Sequence, residues 1–177
     1  DSVQASQLAM AALDSAGIVA PLVVSPDGEP WGQLGTVDVR AGRVRSRVSL
    51  DANPSWISGA CLAVSASTWR CLGGFSKDYF MYWEDVDLSV RCQRAGGSVI
   101  VLDQITVVHE VGGTQGLGRS RLYYYYNCRN RLVFAARNLT AGQQLRWLLL
   151  TPGDVRRVAR RDVSLSRRQR VVKAVPA

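Results

Sequence analysis

The chain has 177 residues, 47% of them apolar and 20% charged, with a formal net charge of +8. That balance is long and apolar enough for a folded domain with a core and excludes a disordered polymer. No run of eighteen apolar residues occurs, so no membrane-spanning helix is expected within it.

The first predicted element is a helix over Ser6 to Ala16, with Leu8, Ala12 and Leu13 on one side and Gly17 as its stop. Ile18 to Val24 reads as a short buried strand interrupted by Pro21, and Pro26-Asp27-Gly28 as a turn. Thr36 to Ser49 is polar and Arg-rich, a hairpin or a loop. Trp56 to Val64 is apolar with small residues, and Ser65 to Leu72 predicts a short helix running into Gly73-Gly74. Four cysteines lack CxxC spacing and a histidine pair, which argues against a zinc site and for buried free thiols in a reducing compartment. No basic-then-apolar leader opens the chain, and the expected location is cytoplasmic.

Glu84, Asp85 and Asp87 follow the aromatic cluster Phe80-Met81-Tyr82-Trp83 and precede a helical pattern at Val86, Leu88, Val90, Cys92 and Ala95. Gly96 and Gly97 end that pattern. The three acids therefore sit at or near a helix N-terminus. There they complement the dipole, worth roughly 0.3–1 kcal/mol each. On the residues alone, that structural role and a chemical one are both open.

Two strands are expected next, Ser98 to Leu102 and Ile105 to His109, then a glycine-rich loop from Gly112 to Gly118 and a long helix over Arg121 to Asn138. Tyr123 to Tyr126 cannot share one helical face, since each step turns about 100°; at least one must be exposed. From Arg137 onward there are ten Lys and Arg against two acids, while the first 136 residues carry twelve of each sign. Arg156, Arg157, Arg160 and Arg161 alternate with Val155, Val158 and Ala159, after an apolar patch of Leu145, Trp147, Leu148, Leu149 and Leu150. Arginines beside apolar anchors suit an anionic membrane surface, and a solvated basic helix or tail is the other reading. No aromatics are interleaved with the arginines after Trp147, which argues against nucleic acid as a partner. The organisation expected is a domain over 1–139 and a basic helical tail over 140–177.

The order and spacing of several pieces are more specific than any one of them. They are Ser58-Gly59-Ala60, Gly73-Gly74-Phe75, Tyr79 to Leu88, Arg91 and Ala95-Gly96, then Val108-His109-Glu110, Gly112-Gly113-Thr114 and the tyrosine-rich stretch Arg121 to Leu132. Together they resemble the second half of an inverting nucleotide-sugar glycosyltransferase of the GT-A fold, family two, and most of all its bacterial rhamnosyltransferase-like members. The resemblance implies an α/β fold, a GT-A-like mixed twisted sheet flanked by helices. The nucleotide-binding half that opens such enzymes, with its Asp-x-Asp metal element, is not visible here, and Asp1 could be the last residue of that element. About three βα units, at roughly 30 residues each, would then lie upstream, and the 177 residues alone are expected to be inactive.

The activity implied is transfer of a sugar, rhamnose favoured, from a nucleotide-diphosphate donor to a glycan or polyprenyl-linked acceptor in cell-wall or polysaccharide synthesis. Inverting transfer needs a base for the acceptor hydroxyl proton. By the resemblance Asp85 is that base, with Glu84, Trp83 and Trp56 binding the acceptor. Gly113, Thr114, Arg119 and Arg121 would hold the donor diphosphate, and His109 and Asp1 a divalent metal, Mg²⁺ or Mn²⁺. A helix N-terminus weakens Asp85 as a base while Glu84 and Asp87 strengthen it, and the residues do not say which prevails. The protein is expected in the cytoplasm, peripheral on the inner membrane face. A non-catalytic glycan-binding fragment or partner is the alternative.

Overall fold

A computed structural model of the chain describes residues 2–14, 16–30, 34–47, 54–109 and 121–173, with side chains of the last helix described as far as residue 158. The chain divides into two compact units, one of Asp1–Asp38 with Val44–Val111, the other of Val39–Arg43 with Gly112–Ala177.

The first unit is mixed α/β. Helix α1 (Ser2–Asp14) leads into β1 (Ile18–Val24), whose residues are almost all buried, as a continuous apolar run in a covered strand should be. β1 lies between β5 (Ala63–Val64), antiparallel to it, and β6 (Val99–Val108), parallel to it. The parallel strands begin so close together that a side chain at Gly17 would strike the Ser98 carbonyl, and one at Gly97 the Ala16 carbonyl. A second sheet runs in the order β3-β2-β4, from β2 (Leu34–Asp38), β3 (Arg43–Arg47) and β4 (Trp56–Ile57). The Arg-rich stretch after Thr36 is thus a pair of neighbouring strands, as one of its two readings expected.

Helix α2 (Ala66–Leu72) starts at Ser65, whose hydroxyl accepts the Thr68 N–H at 3.1 Å, and ends at Gly73 in the left-handed region. Helix α3 (Glu84–Arg94) carries the acids in its first turn and Arg91 and Arg94 in its last. Its inner face, Leu88 and Cys92, joins Ile18, Ala20, Leu34, Ile57 and Val99 in one core. That core is what fixes the start of α3 against β4.

Two expectations are corrected. The strands foreseen at Ser98 to Leu102 and Ile105 to His109 are one strand, β6. Its pairing with β1 slips between Pro21↔Leu102 and Leu22↔Thr106, so Asp103, Gln104 and Ile105 have no partners in register. Pro21 has no N–H for the ladder, and a bulge absorbs the loss. The four cysteines are free, but Cys71 is exposed, and only Cys92 is fully buried.

The second unit holds α4 (Arg121–Asn138) packed on α5 (Ala141–Lys173). Of the four tyrosines, Tyr125 is the exposed one. Arg131 is 2% exposed and organises the unit. Its guanidinium donates to the Gly42 carbonyl at 2.6 Å, the Thr151 hydroxyl at 2.8 Å and the Trp147 carbonyl at 3.0 Å, and pairs with Asp154 at 3.6 Å. Among the described residues, no helix is long and apolar enough to cross a membrane.

Candidate active site

The entry to α3 is built from strained backbone. Tyr82 and Trp83 have φ of 64° and 76°, two consecutive bulky residues in the left-handed region. Each costs on the order of 1–3 kcal/mol, and such strain persists where the surroundings over-determine it, often at functional sites. Here the burial of Trp83 and Tyr79, each 7% exposed, offsets it. Trp83 provides no side-chain cap for the helix. Asp85 takes over part of that task, its Oδ1 accepting the Val86 N–H at 2.7 Å.

The other oxygen of Asp85 reaches outward. Oδ2 accepts the Gly59 N–H at 3.0 Å, from the loop after β4. One turn on, the Ser89 hydroxyl donates to the Asp85 carbonyl at 2.7 Å and accepts the Ile57 N–H at 3.3 Å. The carboxylate therefore sits in a fixed seat between the helix start and the small-residue loop. A carboxylate oxygen has two acceptor sites, so each keeps capacity for a further proton donor.

Burial pushes the Asp85 carboxyl above the ordinary aspartate range, against the hydrogen bonds from Gly59, Val86 and its own backbone, which lower it. Glu84 is raised as well, mainly by burial, with the neighbouring Asp85 charge adding to it and a backbone hydrogen bond opposing. The question of dipole against neighbouring charge is thus answered by a third effect, desolvation. The Glu84 Oε2 is buried and has no hydrogen-bond partner among the described residues.

Asp87 belongs to the scaffold. It is fully buried, accepts the Tyr79 hydroxyl at 3.3 Å and pairs with Arg91 at 2.8 Å. Arg91 continues to the Leu72 and Gly74 carbonyls at the end of α2. This chain of bonds holds the aromatic segment and the helix end around the start of α3.

The remaining candidates are placed as follows. Trp56, on β4, is 7% exposed, with its indole N–H buried and unpartnered among the described residues, and Trp83 is equally covered. The most exposed aromatic ring of the segment is Phe80, at 74%. His109 follows β6 and donates its backbone N–H to the Val24 carbonyl at 2.8 Å, at the carboxyl ends of the two parallel strands. Open α/β sheets place ligands at such ends. Arg121 is exposed at the start of α4, in the other unit. Asp1, Gly113, Thr114 and Arg119 lie outside the described residues.

Among the described residues, no three His, Cys, Asp or Glu side chains come together to hold a metal ion. Of the two expected metal ligands only His109 is among the described residues, and one ligand does not make a site. Sequence reasoning missed the Gly59 N–H and the Ser89 hydroxyl as partners of Asp85. The run Ser58-Gly59-Ala60, small enough for a carboxylate to approach its backbone, was the available signal.

Comparison with known proteins adds three findings. A sequence model described as glycosyl transferase family group 2 matches residues 6–159. An N-acetylglucosaminyl-diphospho-decaprenol L-rhamnosyltransferase, found in two strains of Mycobacterium tuberculosis, is 30% identical over 121 residues, covering 57% of this chain and 39% of that protein. The low-salt glycan biosynthesis hexosyltransferase Agl10 of Haloferax volcanii is 22% identical over 121 residues, covering 68% of this chain and 38% of that protein. This chain therefore spans about two fifths of the length of the curated relatives it matches.

Proposed function

Since the chain belongs to glycosyl transferase family group 2, we propose that it carries the base and acceptor side of an inverting transferase, with Asp85 as base. The sugar, rhamnose favoured, comes from a nucleotide-diphosphate donor and goes to a glycan or polyprenyl-linked acceptor. The name of the mycobacterial relative supports both the rhamnose and the polyprenyl-diphosphate acceptor.

The acceptor oxygen attacks the anomeric carbon from the face opposite the leaving group. The new C–O bond forms as the bond to the diphosphate breaks, and the hydroxyl proton passes to Asp85. The observation that carries this reading is the seat of Asp85, held by Gly59 and Val86 N–H groups while burial raises its basicity. Glu84, with a buried unpartnered oxygen, is assigned to the acceptor, since a hydroxyl donor would satisfy it.

Leaving-group charge falls to His109, Gly113, Thr114, Arg119 and Arg121, with a Mg²⁺ or Mn²⁺ ion among the candidate partners and Asp1 as its further ligand. The place of work is the cytoplasmic membrane face, where a lipid-linked acceptor is presented, in cell-wall or polysaccharide synthesis.

A second reading rests on the same hydrogen bonds. Both oxygens of Asp85 already accept backbone N–H groups, as they would in a glycan-binding protein that uses the residue only to lock α3 onto its neighbour. Transfer of labelled rhamnose from dTDP-rhamnose to a polyprenyl-diphospho-N-acetylglucosamine separates the two. In the whole protein, Asp85→Asn is expected to lower kcat by about 10²–10⁴ and stability by only about 1–3 kcal/mol, since the amide nitrogen cannot accept one of the two backbone N–H groups. An unaltered rate would leave the binding reading standing.

A further inference from the structure

We propose that α5 docks on an anionic lipid bilayer surface through the stripe Leu145, Leu148, Leu149, Pro152 and Val155, with Arg146 and Arg156 beside it. The inference deepens the membrane part of the proposed function, but α5 carries it without any assumption about sugar transfer.

The stripe follows helical spacing, each member three or four positions from the last or beside it, so all five lie on one face. That face is open. Leu145 is 58% exposed, Leu148 55%, Leu149 72% and Val155 43%, and Pro152 is exposed between them. From Leu145 to Val155 the stripe runs about 15 Å along the axis. Contiguous exposed apolar patches rimmed by polar residues are the kind of surface that meets a protein or a membrane.

The packed side is opposite, and it fixes how the helix is turned. Trp147 has no exposed surface, stacks on Phe134 and donates its indole N–H to the Val39 carbonyl at 2.8 Å. Thr151 and Asp154 on that same side hold Arg131. Rolling the leucines inward would break all of these bonds. The stripe must therefore meet a partner from outside the unit or stay in water.

Charge selects the partner. Arg146 and Arg156 are exposed at the edge of the stripe, and the segment from Arg137 to the end carries ten basic residues against two acids. Pairing two copies of α5 through the stripe would bring two such segments together, and like charge opposes that. An anionic bilayer answers both properties, taking leucines into its acyl boundary and arginines at its headgroups. No described helix can span the membrane, so α5 would lie in the plane of the interface.

Co-sedimentation of the whole protein with phosphatidylcholine vesicles, with and without phosphatidylglycerol, tests this. Binding is expected to the anionic vesicles, and to weaken as salt is raised. The double variant Leu148→Gln, Leu149→Gln should reduce partitioning by about tenfold per leucine, and Arg156→Glu by about fivefold or more. These side chains are exposed, so the fold should survive, and an unchanged circular dichroism spectrum would verify it. Equal binding to neutral vesicles, or an undiminished double variant, would overturn the proposal. So would a lipid-free dimer that the same double variant dissolves, since a second copy would then occupy the stripe. Failure of sugar transfer with vesicle binding intact would sink the functional reading and leave this one standing.

Discussion

Asp87 gives both oxygens to the scaffold, to the Tyr79 hydroxyl and to Arg91, whereas Asp85 two positions earlier takes only backbone N–H groups. The difference lies in which way each side chain leaves the first turn of α3. A shared helix start was readable from the acids and the following apolar pattern, but which of them is structural and which chemical was not. Burial was not readable, because it comes from the packing of α3 on β4. Burial is the largest influence on Glu84 and Asp85 alike. For a carboxyl raised in the folded state, stability is fullest below its ordinary value, 4.5 for Glu84, and is lost as pH rises through the folded value. Glu84→Gln removes that loss. The variant should be more stable than the parent at pH 7 and equal to it near pH 4, read from urea denaturation midpoints. The upward shift of Asp85, the base, predicts that kcat/KM climbs with pH through a value above the ordinary aspartate range. A constant stability difference across pH would mean that Glu84 is not charged against its surroundings.

The bounds of β1 and α4 follow directly from apolar runs and periodicity, and both are as the sequence predicts. Elements that depend on a partner were harder to read. Asp103-Gln104 looked like a break between two strands because polar residues interrupted an apolar run. Pairing shows one strand, with the irregularity opposite Pro21 on its neighbour. Arg131 posed the same difficulty: in an Arg-rich helix it reads as surface charge, yet it is the buried link between α4 and α5. Burial lowers its pKa, with the nearby Cys128 opposing. Arg131→Ala should therefore cost about 2–4 kcal/mol, since it empties a buried site and takes the guanidinium from the Gly42 carbonyl and the Thr151 hydroxyl, while Asp154 keeps Arg157 and the Trp147 carbonyl keeps the Thr151 hydroxyl. Arg131→Lys should recover little, because one ammonium cannot reach in all those directions. Chemical denaturation measures both, and a loss under about 1 kcal/mol would show that water fills the gap.

At the scale of the whole molecule, composition gave the right class of protein, and the charge count placed the basic excess where the exposed leucines are. Counts say nothing about direction, and the thiols illustrate this. The number and spacing of cysteines led to four free thiols, which the structure has, but also to a uniformly buried set. Cys71 lies near the end of α2 on its outer side, and a residue count carries no information about which side of a seven-residue helix faces out. The other three are covered to different degrees, and burial raises the pKa of each. For Cys92 a backbone hydrogen bond opposes the rise, and for Cys128 the charge of Arg131 does. A raised thiol pKa leaves less thiolate at any given pH, so those three should react slowly, with access compounding the effect for Cys92. Ellman's reagent at pH 8 should therefore release one fast equivalent from the native protein and all four together in guanidinium. Cys71→Ser should remove the fast phase alone. Four equal rates in the native state would mean that the cores of both units open readily, and the fixed seat of Asp85 would then lose its support.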